Sequence, residues 1–209
     1  MLITAENIRD FEKTDRTNII NSLPGFKSAN LIGTISAEGK TNLAIFSSVI
    51  HIGANPPLLG FLMRPISVER HTYINIKETG YFTVNHINEE IFRQAHQTSA
   101  RYDRNISEFD ACGLTAEYSE KLKAPYVKES KIKIGLRFVE ETEIAINETI
   151  FIVGEIAEII LPDDTLSADG FIDLEKAGTI GISGLDGYHK TKRIARLSYA
   201  KPGKELSDL

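Results

Sequence analysis

The fold is decided by residues 41–75, which read TNLAIFSSVIHIGANPPLLGFLMRPISVERHTYIN. The first part, 41–52, is rich in the β-branched and apolar residues that favour strands. Asn55-Pro56-Pro57 ends this strand, because proline cannot donate a ladder hydrogen bond. The next run, LLGFLM at 58–63, is apolar on both of its faces. This pattern predicts a buried strand near the centre of a sheet.

A candidate anion site follows the second of these strands. Ser67 occupies an N-cap position and Gly80 a position typical of the residue after a helix, which together predict a helix over 68–77. Three cationic or imidazole side chains and a hydroxyl lie just before this helix or in its first two turns: Arg64, Arg70, His71 and Thr72. A phosphate is bound by backbone N–H groups, a hydroxyl and a cation, all of which such a helix start supplies. The alternative is a capped surface helix with solvated arginines.

The segments on either side of this stretch are also β-rich. Before it, SANLIGTIS at 28–36 and a four-residue turn predict a hairpin with the strand at 41–52. After it, YFTVNHI at 81–87 alternates like a strand, and two long strand-like runs follow at 131–144 and 149–161. Alternating βαβ units are missing, so a Rossmann sheet is not predicted. The pattern predicts a mainly β, antiparallel barrel with peripheral helices.

Short helices and the absence of linkers complete the predicted organisation. Asp15 is predicted to cap a helix through Asn18–Ile20, and Asn88 to open a second helix after the strand at 81–87. No repeat, low-complexity tract or flexible linker divides the sequence. We therefore expect a single domain over residues 1–209.

Composition and charge limit the function classes. Lys and Arg number 24 against 29 Asp and Glu, which gives a formal net charge of −5. Duplex nucleic acid and anionic membranes are bound chiefly through Lys and Arg, so neither is an expected partner. The single cysteine, Cys112, cannot form an internal disulfide or a cysteine-based zinc site, and no metal site is expected. Charges near the N-terminus argue against a secretion signal, and no apolar run has the length of a membrane span, so we expect a cytoplasmic protein.

A series of short motifs, each weak alone, is specific in its order and spacing. The motifs cover nearly the whole chain: Leu31–Thr34, Asn42–Ser48, Asn55-Pro56-Pro57, Arg70–Asn75, Gly80–Asn85, Ser107–Leu114 and Gly184–Tyr188. In this order the chain resembles the flavin reductase-like family of FMN-binding split barrels. The resemblance implies a six-stranded Greek-key split barrel, a homodimer, and a flavin held at the subunit interface.

The resemblance also implies a set of FMN-binding residues. The strand at 42–48 would lie along the isoalloxazine ring, with its backbone and two serine hydroxyls at the ring edge and the ribityl chain. The residues of this strand assigned to the cofactor are Asn42, Ala44, Ile45, Phe46, Ser47 and Ser48. The phosphate would be held by side chains of which the two arginines are alternatives: Arg64 or Arg70, His71 and Thr72. The segment 98–101, which contains Ser99, and the pair Tyr188 and His189 are assigned as lids or as contacts from the partner chain.

The implied activity is that of an FMN-dependent oxidoreductase, most simply an NAD(P)H:flavin reductase in which the nicotinamide passes hydride to flavin N5. No side chain must act as an acid or base, so no catalytic residue is assigned. Many reductases of this family carry a late histidine beside the nicotinamide site, and FIVGEIAEIILPDD at 151–164 lacks it. The alternatives are an FMN-binding electron carrier or sensor without NAD(P)H turnover, and a relative that reduces or oxidises a small organic substrate. A monooxygenase or another flavin-accepting protein is a candidate partner.

Overall fold

A computed structural model describes residues 1–209 and contains five α-helices and twelve β-strands. The helices are α1 (Ala5–Asp10), α2 (Lys13–Ser22), α3 (His71–Thr79), α4 (Phe92–Gln97) and α5 (Glu108–Cys112). The strands are β1 (Lys27–Ser28), β2 (Asn30–Ile35), β3 (Thr41–Phe46), β4 (Ile50–Ala54), β5 (Pro57–Met63), β6 (Tyr81–His86), β7 (Ala116–Glu117), β8 (Tyr126–Val127), β9 (Lys133–Ile144), β10 (Thr149–Ile160), β11 (Ile180–Ser183) and β12 (Gly187–Lys190). None of the helices combines the length and the apolar character that a membrane span requires.

Seven strands form one antiparallel sheet in the order β3-β2-β6-β9-β10-β5-β4. β3 and β4 each pair with only one neighbour, so the sheet is not closed, as in a split barrel. Six strands were expected, and the seventh arises because residues 47–49 interrupt the predicted strand at 41–52. Its two halves, β3 and β4, lie at opposite edges of the sheet. The predicted antiparallel split barrel with peripheral helices is confirmed.

Two buried apolar clusters form the core. The first core cluster consists of Ala29, Leu31, Leu43, Ile87, Ile91, Ala95, Phe109, Leu114, Val127, Ile180 and Ile182. The second core cluster consists of Ile32, Phe61, Met63, Ile76, Phe82, Val84, Leu136, Ile150 and Ile152. β2 contributes to both clusters, because successive side chains of a strand point to opposite faces of its sheet. Leu31 therefore packs in the first cluster and Ile32 in the second.

The helix starts differ from the prediction: α3 and α4 begin later than the sequence predicts, and α2 begins earlier. Ser67 is not an N-cap: α3 begins at His71, and the preceding Arg70 has an extended backbone without a side-chain cap. The predicted end is confirmed, since Gly80 follows α3 in the left-handed conformation at φ 76°. Asn88 does not cap α4 either; its side chain accepts a hydrogen bond from the Glu90 N–H in a turn before the helix. Asp15 does not cap α2, because it lies inside the first turn of that helix.

The segment before β8 packs its backbone directly against β2. A Cβ added to Gly33 would lie 2.2 Å from the carbonyl oxygen of Pro125, so only glycine fits there. The same carbonyl accepts a hydrogen bond from Thr83 Oγ1 at 2.6 Å. Asn85 on the same strand accepts one from the Val127 N–H at 2.9 Å. The buried polar side chains of β6 are therefore satisfied by this segment, as buried polar groups must be.

Candidate functional site

The edge strand β3 presents peptide groups that no other strand uses. The Leu43 N–H donates to Glu108 Oε2 at 2.9 Å, which shows that this peptide points away from β2. In an antiparallel pair, residues alternate between facing the partner strand and facing away from it. The Ile45 N–H and C=O therefore also point to the free edge, and no strand lies there to accept them. Such an edge can pair with the hydrogen-bonding rim of a flat ligand.

The side chains of β3 anchor this edge in the core. Ile45 packs against the first core cluster and Phe46 against the second. The Phe46 ring meets the Phe61 ring edge to face, with centroids 5.0 Å apart. Ala44, the residue before Ile45, is half-buried. Of these residues, the backbone rather than the side chains is available to a ligand.

A buried network of polar side chains joins β3 to the start of α3. Asn42 Nδ2 donates to Thr72 Oγ1 at 3.0 Å. Asn75 Nδ2 donates to Thr34 Oγ1 at 3.1 Å, which places a second amide beside the first. All four residues are buried. Thr72 Oγ1 thus accepts a bond from the protein, and its own hydroxyl proton has no partner within the chain.

The guanidinium of Arg70, the residue directly before α3, lies in the field of two further positive charges. Burial lowers the pKa of Arg70, and the neighbouring positive charges of Arg64 and Arg101 lower it further. Arg70 Nε donates to the Pro65 carbonyl at 3.2 Å, which holds the guanidinium in place. None of the three arginines forms an ion pair with a carboxylate. Positive charges that lack a carboxylate partner within the chain attract an anion.

His71 and Glu108 lie next to this cation cluster. Burial raises the pKa of the Glu108 carboxyl, while the Leu43 N–H and the charge of His71 act in the opposite direction. His71 Nε2 lies 3.8 Å from Glu69 Oε2. A cavity of about 10 Å³ borders His71 and Asn42 and has the size of a single water molecule. This part of the site is polar and tightly packed.

The two serines after β3 differ in availability. The Ser48 hydroxyl donates to the Leu62 carbonyl at 3.3 Å and accepts from the Leu62 N–H at 3.1 Å. It therefore ties the end of β3 to β5. Ser47 is half-buried and its hydroxyl has no partner within the chain. Ser47 is consequently the serine that can bond a ligand without breaking a protein contact.

Tyr188 and His189, which are neighbours on β12, have different surroundings. Tyr188 donates or accepts a hydrogen bond with His96 Nδ1 at 2.9 Å and packs against the first core cluster, as Ile45 does. Burial and the charge of Asp186 raise the pKa of Tyr188 to about 12. His189 lies on the opposite face of β12, where its Nε2 is 2.7 Å from Ser183 Oγ. Strand alternation thus separates the two neighbours.

Ser99 lies in the turn after α4 and is exposed. Its N–H bonds the His96 carbonyl at 3.0 Å, and its hydroxyl has no partner within the chain. A cavity of about 350 Å³ lies elsewhere, between residues 167–173 and the C-terminal segment. The two arginines that line it, Arg193 and Arg196, are already paired with Asp173 and Asp169. That cavity therefore offers no free cation.

Sequence reasoning placed Arg101 only in the lid or partner-contact segment 98–101, not among the phosphate ligands, and it did not assign Glu108 to the site. Arg101 belongs to the segment 98–101, and nothing in the sequence indicates that it returns to Arg64 and Arg70. Glu108 belongs to a motif of the family resemblance, but its bond to a β3 peptide crosses 65 residues. The only signal in the sequence for Arg101 is its positive charge shortly after the helix predicted to follow Asn88.

An open antiparallel barrel with a free strand edge beside a cation cluster defines a split-barrel flavoprotein. The model of the flavin reductase like domain matches residues 25–174, and the chain belongs to this family. It is a flavin-related oxidoreductase.

Similar proteins come from several bacteria and archaea. A presumed flavin reductase with split barrel domain from Shewanella frigidimarina is 52% identical, with a TM-score of 0.92 over 96% of this chain and 100% of that chain. A flavoredoxin from Methanosarcina acetivorans is 25% identical, with a TM-score of 0.71 over 86% of this chain and 91% of that chain. An uncharacterised protein of Aquifex aeolicus is 30% identical over 72% of this chain and 76% of its own length. These likenesses agree with the family and the fold.

Proposed function

We propose that the flavin is FMN and that its phosphate binds among Arg64, Arg70 and Arg101. The observation that carries this proposal is the grouping of these three guanidinium groups, none of them paired with a carboxylate. Charge-assisted hydrogen bonds from Arg to phosphate are short and strong. The first turn of α3 adds unpaired N–H groups, and Thr72 adds a hydroxyl proton. The donor set fits a phosphate monoester.

The free edge of β3 fits the ring of the same cofactor. The outward Ile45 peptide supplies one donor and one acceptor, and the Ser47 hydroxyl lies just beyond them. A flavin ring carries both N–H and C=O groups along its pyrimidine edge. Backbone N–H groups at this edge would also stabilise the negative charge that a reduced flavin develops there.

The proposed activity is NAD(P)H-dependent flavin reduction. When bound, FMN would supply the hydride-accepting chemistry of its N5 position, and the residues of the β3 edge and the arginines would hold it in reach of the nicotinamide. The test is to mix the purified protein with FMN and with NADH or NADPH under nitrogen and to follow the flavin absorbance. Bleaching that is saturable in nicotinamide and dependent on the protein is expected. No bleaching with either nucleotide would contradict a reductase.

An electron carrier or sensor is the second candidate. The similarity to a flavoredoxin and the missing late histidine favour it. This function predicts that dithionite reduces the bound flavin while NADH and NADPH do not. A third fate, delivery of reduced flavin to a monooxygenase partner, would appear as rapid release of reduced FMN after turnover.

We propose that the chain is a homodimer, and a cytoplasmic one. Ile50 pairs with Gly60, two residues from Leu62, so Ile50 and Leu62 share the outer face of the sheet. Ile52 contacts the same place, because its side chain lies over Gly60. These three apolar residues are 53%, 40% and 39% exposed in the order Ile50, Leu62, Ile52. Soluble chains rarely leave a contiguous apolar face open, and a second copy would cover it beside Ser48. A light-scattering mass of one chain with FMN bound would contradict this.

A further inference from the structure

The C-terminal arm, residues 191–209, lies outside both core clusters. Its side chains Ile194 and Tyr199 are 101% and 88% exposed. The arm nevertheless has a definite path, because Arg193 pairs with Asp173 at 3.0 Å and Arg196 stacks on Phe171 at 3.9 Å. An ordered segment that presents apolar side chains to water is a contact surface without its partner.

The charge of the arm is as uneven as its polarity. Residues 191–204 contain five Lys or Arg and no Asp or Glu, and the rest of the arm adds Glu205 and Asp208, within a chain of net charge −5. Arg193 and Arg196 are paired inside the chain, as described above. Three lysines have no ion-pair partner: Lys192, Lys201 and Lys204. Residues 191–204 of the arm therefore present apolar side chains among free positive charges.

The hairpin end, residues 139–149, has the complementary character. It contains four Glu and no Lys or Arg. Of these, Glu141 pairs with Lys77 at 3.3 Å, and three others have no ion-pair partner: Glu140, Glu143 and Glu148. Ile146 at its tip is 94% exposed, and Val139 and Ile144 are also exposed. The pairing of β9 with β6 ends at Arg137, so the hairpin end has no further strand on that side.

From these two surfaces we infer that the C-terminal arm of one protomer docks on the hairpin end of a second copy. The arm has three lysines without an ion-pair partner, and the hairpin end has three glutamates without one. Each set lies among exposed apolar side chains. No hydrogen bond or ion pair joins the arm to the hairpin end within one chain. In a twofold dimer the same contact occurs twice, since each copy supplies one arm and one hairpin end. The inference deepens the dimer proposed above.

A charge-reversal experiment on the full chain tests the contact. The arm variant carries Lys192→Glu, Lys201→Glu and Lys204→Glu, and the hairpin variant carries Glu140→Lys, Glu143→Lys and Glu148→Lys. Each variant alone opposes like charges at both contacts of its dimer. We expect the dimer dissociation constant from analytical ultracentrifugation to rise roughly tenfold or more in each.

The mixture of the two variants is the decisive measurement. In a dimer of one arm variant and one hairpin variant, both contacts regain opposite charges, so a 1:1 heterodimer of wild-type stability is expected. A control with Asp10→Lys, Asp110→Lys and Glu120→Lys, three exposed acids outside the hairpin end, carries the same charge change as the hairpin variant and should dimerise as wild type does.

Two outcomes overturn the contact: unchanged dimerisation of both variants, or a mixture that does not form the heterodimer. FMN content is measured on the same samples. A dimer that follows the charge pattern but binds no FMN would contradict the proposed function while supporting the arm contact, so the two failures are distinguishable.

Discussion

Replacing Arg70 with glutamine should weaken the binding of FMN far more than that of riboflavin. Riboflavin has the same ring and ribityl chain but no phosphate, so it reports on every other contact of the site. Glutamine keeps much of the side-chain stem and removes the charge. Because the Arg70 guanidinium is held by the Pro65 carbonyl at 3.2 Å, its loss removes a positioned cation rather than a mobile one.

The size of the effect follows from the neighbours of Arg70. Hydrogen bonds to charged groups contribute about 1.5–3 kcal/mol, which is roughly ten- to hundredfold in affinity. In the variant, Arg64 and Arg101 still attract the phosphate, and their repulsion with the Arg70 charge is gone. We therefore expect the FMN dissociation constant to rise about ten- to fiftyfold, and that of riboflavin to change less than about twofold.

The assay is fluorescence quenching of both ligands with the wild type, the Arg70→Gln variant and a matched Arg93→Gln variant. Arg93 is an exposed residue of α4 that lies over the Phe92 ring and outside the cation cluster. It should leave both affinities unchanged. Equal losses for FMN and riboflavin in Arg70→Gln, or no loss for either, would refute a phosphate site at Arg70. The preference of the wild type for FMN should also shrink as salt is added, since exposed charges are screened.

Three further predictions concern stability and can be checked by denaturant unfolding. Gly33→Ala should lower the free energy of unfolding by about 1–3 kcal/mol, because its Cβ would meet the Pro125 carbonyl; an unchanged midpoint would contradict this packing. Glu108→Ala should cost about 1–3 kcal/mol by leaving the Leu43 N–H without an acceptor, whereas Glu108→Gln, whose carbonyl can still accept, should cost less. Burial lowers the pKa of His86 to about 4 from an ordinary 6.5, so the unfolded chain binds the proton more readily. Stability from this residue is therefore complete above about pH 6.5 and is lost as the pH falls towards 4, by about 3 kcal/mol; His86→Phe should be less sensitive to pH over this interval, and equal sensitivity would count against the assignment.

The strands and the fold class were accessible to sequence reasoning because their signals are local. Alternation and β-branched residues follow directly from which faces of a strand are buried, as at 81–87. Gly80 is placed correctly because a left-handed residue after a helix is a property of the chain itself. Helix starts were less accessible: Ser67 is a good cap by type, but the backbone stays extended through Arg70.

The site depends on contacts between distant parts of the chain, and these only the tertiary structure decided. Arg101 joins Arg64 and Arg70, and Glu108 reaches the Leu43 peptide, because the sheet order and the packing of α5 bring these segments together. Tyr188 and His189 lie on opposite faces of β12, and their different surroundings have the same origin. Only the position of β12 determines what each of its faces contacts. A residue's type sets what it can bond. Which residues come within bonding distance of it depends on the whole fold, whose stability is shared among many contacts. No local sequence pattern contains that information.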